Sequence, residues 1–260
     1  MEYGLIGETL GHSYSKQIHA QLADYVYELH PLSREEFPHF MEARDFSAIN
    51  VTIPYKQAVI PYLDHIDPLA ARIGAVNTIV NRLGKLTGYN TDYFGFLCLL
   101  QKYHIDVRGK KILVLGNGGV AQPVFAALSE LCAGEVITVK YKEEPGVITY
   151  ETAAKLHSNA DIIINTSPVG MYPKTDATPI DLSLYHNLSA AVDIIANPLE
   201  TRFLREAAKL GARTAGGLYM LVAQAKYAVE YFLDTKISDE KILPITEQIA
   251  ALMEQSNKDV

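Results

Sequence analysis

The chain has 260 residues, 48% hydrophobic and 20% charged, with 23 Lys plus Arg against 30 Asp plus Glu and a net charge of -7. That length suits two compact units of roughly 100 to 150 residues each, and the composition is that of a packed globular protein, which excludes a disordered chain. An acidic balance without a block of like charge disfavours nucleic acid and anionic membrane as partners, and no run approaches the ~20 apolar residues of a membrane helix.

The N-terminal "MEYGLIGETLGHS" has neither a basic segment nor a long apolar run, and a cytoplasmic location is expected. Cys98 and Cys132 stand far apart with no Cys-x-x-Cys or Cys/His cluster near either. They are expected as buried thiols in a reducing compartment, with no metal site.

Strand-like and helix-like runs alternate from the start, which predicts an α/β protein with mostly parallel sheet. "YGLIG" reads as a strand, "SYSKQIHAQLADY" has helical spacing, "VYELHPL" is strand-like and "REEFPHFMEAR" helical. In "AINVTIP", Val51 and Ile53 alternate with polar Thr52. This predicts a short half-buried strand that Pro54 stops before Lys56. "YNTDYFGFLCLLQKYHI" puts Phe94, Leu97, Leu100 and Tyr103 at helical spacing, and the polar "DVRGKK" beyond it predicts a domain boundary near Asp106. The second half opens with "KILVLGNGGVAQPVFAAL", a buried strand, a glycine turn and a helix. Strands "EVITV", "DIIINT" and "AAVDII", helix "TRFLREAAKLG" closed by Gly211, and the long apolar helix "YMLVAQAKYAVEYFL" follow. The expected layout is a first domain over 1–105, a second over 106–235, and a C-terminal helix over about 236–258 packed back on the first.

Gly116, Gly118 and Ala121 in "LGNGGVA" have the G-x-G-x-x-G/A spacing, after a strand and before a helix. Glycines there allow a tight turn and close approach to a pyrophosphate, while the helix start offers free N–H groups and positive dipole. The loop residues Gly116, Asn117, Gly118, Gly119, Val120 and Ala121 are therefore candidate cofactor contacts. At the end of the next strand, where an acid suits NAD and a base suits NADP, stand Lys140, Tyr141 and Lys142, with Glu143 and Glu144 just after. Lys140 or Lys142 would meet a 2′-phosphate there, and an exposed polar loop is the other reading. If "GVITY" is the next parallel strand, the crossover is too short for a helix, which predicts a shallow adenine pocket and dinucleotide binding that is weak or absent.

Four polar motifs in the first half resist a packing explanation. "GHSYS" offers Ser13 and Ser15 at a helix entry, "INVTIPYK" offers Asn50, Thr52 and Lys56, "GAVNTI" offers Asn77, and "GYNTDYFG" offers Asn90 and Asp92. One serine hydroxyl is explained by capping, whereas a hydroxyl-rich ligand explains both. Together these side chains are donors and acceptors for a small polyol acid.

"GHSYSKQIH", "NVTIPYK", "GAVNTI", "YNTDYFG", "LGNGGVA", "INTSPVGMYP" and "GGLYMLVAQA" stand in the order seen in the shikimate dehydrogenase family, which the chain resembles over nearly its whole length. The resemblance implies an N-terminal α/β substrate domain, a Rossmann-like cofactor domain, and NADPH-linked reduction of 3-dehydroshikimate to shikimate. By that resemblance Lys56 is the catalytic acid/base and Asp92 its partner, while Ser13, Ser15, Thr52, Asn77 and Gln224 hold the substrate; Asn50 joins these candidates from the reading of its motif. Thr166, Ser167, Gly217 and Met220 join the glycine loop and Lys140 around the cofactor. The assignment of Lys56 is chemically apt, since hydride delivered to a ketone leaves an alkoxide that needs a proton donor within reach.

The cofactor half departs from the family's pattern. Gln122 stands where an arginine is common, Lys140-Tyr141-Lys142 replaces an Asn-Arg-Thr segment, and Asp193-Ile194-Ile195-Ala196 lacks the tyrosine of Asp-x-x-Tyr. The expected cofactor is NADP, with NAD as the alternative. The expected partner is a small-molecule substrate, and the chain is a monomer or a homodimer. The other readings are an NAD-using quinate/shikimate dehydrogenase and a non-catalytic protein that keeps the shikimate pocket.

Overall fold

The computed structural model describes residues 1–11 and 13–256, apart from the side chain of Ser256; His12 of "GHSYS" and the last residues of the expected C-terminal helix, 257 and 258, lie outside them. Among the described residues, those of 1–95 with 222–249 form one compact unit, and those of 96–221 with 250–256 form a second. The chain changes unit within helices, so no single residue at 105 or 235 divides it.

The first unit opens with β1 (Tyr3–Gly7), α1 (Ser15–Leu22), β2 (Tyr27–Pro31), α2 (Glu36–Ala43) and β3 (Ala48–Val51). It continues with β4 (His65–Ile66), α3 (Pro68–Ile73), β5 (Thr78–Arg82), β6 (Lys85–Tyr89) and the first turn of α4 (Asp92–Lys102). Its sheet runs β2-β1-β3-β5-β6-β4. The β1–β2, β1–β3 and β4–β6 pairs are parallel, whereas β3–β5 and β5–β6 are antiparallel, so this sheet is mixed. Local chemistry explains several boundaries. Ser33 and Glu36 bond reciprocally at the entry to α2, Ser33 N–H to Glu36 Oε2 at 2.9 Å and Glu36 N–H to Ser33 Oγ at 3.3 Å. Asp67 caps α3 by accepting from the N–H groups of Leu69 and Ala70, with Pro68 following it.

The β5–β6 hairpin was not foreseen from the sequence. Its turn places Leu83 at φ 52° and Gly84 at φ 80°, the two positive angles that a two-residue hairpin of this hand requires. A leucine is a poor signal for such a turn, and this one is fully exposed.

β3 corrects the expected half-buried strand. All four of its residues are buried, while Ile53, beyond its end, is 63% exposed. The strand is paired on both edges and covered on both faces, so the apparent alternation over 51–53 belongs to the strand's exit.

The second unit contains β7 (Lys111–Leu115), α5 (Ala121–Glu130), β8 (Glu135–Lys140), β9 (Val147–Thr149), α6 (Tyr150–Leu156) and β10 (Ile162–Asn165). After these come β11 (Ala190–Asp193), α7 (Arg202–Lys209), β12 (Arg213–Gly216) and α8 (Leu218–Leu233), which crosses into the first unit. The sheet order is β9-β8-β7-β10-β11-β12, all parallel. Counted along the chain that is 3-2-1-4-5-6, the order of dinucleotide-binding folds. Phe203, Leu204 and Ala207 of α7 pack with Leu113, Ile163 and Ala191 of the central strands and Ala153 of α6 in one core cluster.

The connection from β8 to β9 has no helix. The register explains how so short a link joins parallel strands: β9 starts opposite Thr138, so the chain retreats only from Lys140 to that level.

α9 (Ile242–Ser256) closes the described chain. Within the first unit, the buried Lys226 of α8 pairs with Glu230 and with Asp239, both at 2.8 Å, and so ties the approach to α9 onto α8. The cysteines depart from expectation. Cys132 is exposed, at φ 56° beyond the end of α5, and Cys98 is half-buried. The short apolar stretch around Cys132 ends a helix and does not fill the core. Among the described residues, no helix is long and apolar enough to cross a membrane.

Phe203 is fully buried at the centre of the second unit's core. Phe203→Ala is expected to cost this unit about 3–5 kcal/mol. A urea midpoint for the second unit equal to that of the wild type would reject this weight on α7.

Candidate active site

β1 and β3 are parallel, and β6 runs the same way because β5 is antiparallel to both β3 and β6. Their carboxyl ends therefore lie along one edge of the sheet, the usual place for ligands in open α/β sheets. Ser13 and Ser15 follow β1, Thr52 and Lys56 follow β3, Asn77 precedes β5, and Asp92 opens α4 after β6.

Lys56 Nζ donates to Asp92 Oδ2 at 2.7 Å, with the two side chains only 11% and 10% exposed. Asp92 sits in the first turn of α4, where the helix dipole favours a carboxylate. The loop bearing Lys56 is held at its backbone, where Val76 N–H donates to Lys56 C=O at 2.8 Å. With little water to screen it, the pair fixes an ammonium at the rim of the site.

Asn77 is the hub beside this pair. Its Oδ1 accepts from Thr91 N–H at 2.7 Å and from Thr78 Oγ1 at 3.0 Å, and its Nδ2 donates to Thr91 Oγ1 at 3.0 Å. Gln224 Oε1 of α8 lies 3.5 Å from Asn77 Nδ2 and 3.4 Å from Thr91 Oγ1. Thr78 and Thr91, both fully buried, were not foreseen as site residues, although Thr91 stands inside the "YNTD" motif. At the start of α1, Ser13 Oγ donates to Ser15 Oγ at 3.0 Å and accepts from Ser15 N–H at 3.3 Å. Thr52 is half-buried between these groups in sequence and the lysine.

Asn50 and Asn90 have internal roles. Asn50 Oδ1 accepts from the Tyr27 hydroxyl at 2.7 Å, and its Nδ2 donates to Asn77 C=O and Thr78 Oγ1. It braces Asn77 and Thr78 from within the sheet, which a central-strand residue buried on both faces must do to satisfy its amide. Asn90 Nδ2 donates to Ala75 C=O and its Oδ1 accepts from Tyr93 N–H, so it shapes the turn into α4. Behind Asn50, the fully buried His19 stacks on Tyr27 at 3.7 Å between ring centres and meets the Tyr25 hydroxyl at 2.7 Å. Burial drives its pKa down to about 3, so this imidazole is neutral at physiological pH.

In the second unit, Gly116 follows β7 at φ 111°, and a Cβ there would meet Thr166 Oγ1 at 2.9 Å. Only glycine fits. Gly118 and Gly119 are different: an added Cβ at either would meet nothing within 4 Å. Among the described residues no atom accounts for the two glycines, and α5 begins at Ala121 with no side-chain cap on its N–H groups, Val120 standing at the N-cap. Ala121 N–H donates to Gly118 C=O at 2.9 Å and Pro123 has no N–H, so the open backbone at Gly118 and Gly119, with the first turn of α5 at Gln122, is what fits a pyrophosphate. Asn117 Oδ1 accepts from Gln122 Nε2 at 3.1 Å, so the residue standing in the common arginine position braces the loop.

The other expected cofactor residues are placed as follows. Lys140 Nζ donates to both carboxylate oxygens of Glu144 at 2.7 Å. Thr166 Oγ1 donates to Leu115 C=O, and Ser167 Oγ donates to Asn165 Oδ1, so both hydroxyl protons serve the fold. Gly217 lies against the Ile194 carbonyl, where any side chain would collide, and Met220 is buried. A groove of about 950 Å³ between α6 and α7 is lined by Tyr141, Tyr150, Leu182 and Leu184 and holds none of the expected site residues. Among the described residues, no group of three His, Cys, Asp or Glu side chains is arranged to hold a metal ion.

Asp193, at the end of β11, organises the 165–170 loop. Its carboxylate accepts from Asn165 Nδ2, Ile195 N–H and Thr201 Oγ1, and Asn165 in turn holds Ser167 and the Val169 carbonyl. Burial raises the Asp193 pKa to about 6 against these three hydrogen bonds.

Residues 5–79 match the family model described as the shikimate dehydrogenase substrate binding domain. A shikimate dehydrogenase (NADP(+)) of Clostridium beijerinckii is 38% identical over 273 residues, covering 98% of this chain and 99% of the relative. The crystal structure of shikimate dehydrogenase 1 from Peptoclostridium difficile superposes with a TM-score of 0.89 at 36% identity, covering 97% of this chain and 99% of that one. Shikimate 5-dehydrogenase of Thermus thermophilus, solved in complex with NADP(H) and shikimate, gives 0.84 at 30% identity over 95% of this chain and 99% of its own.

An acid whose pKa rises from 3.8 to about 6 on folding binds more protons in the folded than in the unfolded chain between those values. Stability therefore falls as pH rises through that window, and the full cost is present above it. The stability of wild type minus that of Asp193→Asn is expected to fall by roughly 3 kcal/mol from about pH 3 to about pH 8. A difference that stays constant in urea unfolding across the window would refute the shift.

Proposed function

The chain belongs to the shikimate dehydrogenase family, and from that premise we propose that it interconverts 3-dehydroshikimate and shikimate with NADP(H), a step towards chorismate and the aromatic amino acids. The first unit is the substrate domain and the second the cofactor domain. The observation that carries this reading is the buried Lys56–Asp92 pair, at the sheet edge where Ser13, Ser15 and Thr52 also follow their strands, in the unit whose residues 5–79 match the substrate-binding model. A cytoplasmic location belongs to the same proposal.

NADPH, when bound, supplies the hydride. The chain's own task is to place the ketone and manage its proton. Lys56 Nζ gives a proton to the ketone oxygen as negative charge develops there, and its ammonium stabilises that charge beforehand. Asp92 holds Nζ at 2.7 Å, so the donor is oriented before the substrate arrives. Asn77 and Gln224 present amide groups to the ring hydroxyls, braced by Asn50, Thr78 and Thr91. Ser13 and Ser15 present paired hydroxyls suited to the carboxylate of a small acid. Gly118, Gly119 and the start of α5 would hold the pyrophosphate.

A second reading, a protein that binds shikimate without turnover, draws on the helix-free crossover between β8 and β9. A spectrophotometric assay of shikimate oxidation with NADP and NAD separately, with calorimetric titration of each, decides between them. Turnover with NADP is expected; shikimate binding without dinucleotide binding or turnover overturns the enzyme.

Lys56→Ala is expected to lower kcat by about 10²–10⁴, with a much smaller change in shikimate affinity, because its main interaction forms in the transition state. Near-normal kcat in this variant would remove the lysine from the chemistry.

A further inference from the structure

We propose that Glu144 tunes the choice between the two nicotinamide dinucleotides, by competing with a 2′-phosphate for Lys140; the inference rests on the reading that the second unit binds such a cofactor. Gly116 N–H donates to Val139 C=O at 2.9 Å, so Lys140 is the residue that leaves β8 beside the glycine turn. In this strand order the residue at that exit reads the adenosine ribose: an acid accepts from a free 2′-hydroxyl, a base pairs with a 2′-phosphate.

This chain puts both charges there. Lys140 meets both oxygens of Glu144 at 2.7 Å, and the short return to β9 holds the backbone of residue 144 beside the strand end, with Val147 N–H donating to Glu144 C=O at 2.9 Å. A helix in this crossover would have carried the chain away. Its absence returns residue 144 to the end of the strand it has just left.

The pair stays accessible, the two side chains being 32% and 47% exposed, so an incoming anion can displace the carboxylate. A 2′-phosphate carries close to two negative charges at neutral pH. It must draw Lys140 away from Glu144 and is itself repelled by that carboxylate. A 2′-hydroxyl meets neither obstacle and finds an acceptor in Glu144. The wild-type arrangement therefore narrows the gap between NADP and NAD, and neutralising residue 144 widens it towards NADP. Neighbouring Glu143 makes a fair control, being an adjacent glutamate whose neutralisation changes the net charge equally.

The test is calorimetric titration of NADP and of NAD into the full chain as wild type, Glu144→Gln, Glu143→Gln, Lys140→Ala and the double variant Lys140→Ala/Glu144→Gln. The expected result is a fivefold or greater rise in the NADP-over-NAD affinity ratio in Glu144→Gln, a smaller change in Glu143→Gln, and loss of the gain in the double variant. A ratio in Glu144→Gln within twofold of wild type overturns the inference while leaving the enzyme reading intact. So does an equal rise in Glu143→Gln, or a gain that survives without Lys140. Failure of the wild type to bind either dinucleotide overturns the enzyme reading and this inference together.

Discussion

A strand paired on both edges and covered on both faces has no solvent side, and β3 is such a strand. Any polar group along it must be satisfied inside the protein, and any reactive group must wait for its end. Both consequences are visible. Asn50, still within β3, spends its amide on Tyr27, Asn77 and Thr78, whereas Lys56, after the strand has ended, reaches Asp92 at the rim. The site is thus the place where a dry sheet first releases its polar residues. Its rigidity comes from bonds made behind it, through Asn77 and Thr91.

The second unit follows a different logic, one of close approach. Gly116 is required by Thr166 and Gly217 by the Ile194 carbonyl, both protein contacts, while Gly118 and Gly119 face open space beside an uncapped helix. The distinction separates glycines that serve the fold from those that leave room for a ligand. Asp193 adds a third element, a buried acid that gathers Asn165, Ile195 and Thr201 at the carboxyl end of the central strands. Its burial is costly and its hydrogen bonds offset that cost, which is common where loop geometry matters more than stability.

Much of this was legible in the sequence. Alternating strand and helix runs and the glycine spacing carried the α/β class, and the short crossover after Val139 was visible as a simple count of residues. The four polar motifs of the first half lie at strand ends along one sheet edge. What escaped notice had physical causes. The β5–β6 hairpin turns on Leu83 and Gly84, and a leucine at positive φ carries no turn signal. Val51, Thr52 and Ile53 imitate alternation only because the strand ends among them. Asn50 looked like a ligand group because its residue type is polar, and type alone does not tell a hydrogen bond to substrate from one to Tyr27.

The sequence by itself determined which chemical groups exist and roughly which element each one ends: a lysine after a strand, an aspartate opening a helix, glycines between a strand and a helix. These are local facts, set by spacing within a few residues. Only the tertiary structure decided their partners. Lys56 and Asp92 are 36 residues apart, Asn77 and Gln224 are 147, and nothing in either neighbourhood names the other. Lys140 and Glu144, only four residues apart, meet across the turn that joins β8 to β9. A side chain's partner depends on the path of the whole chain between the two, which spacing within a single element does not record.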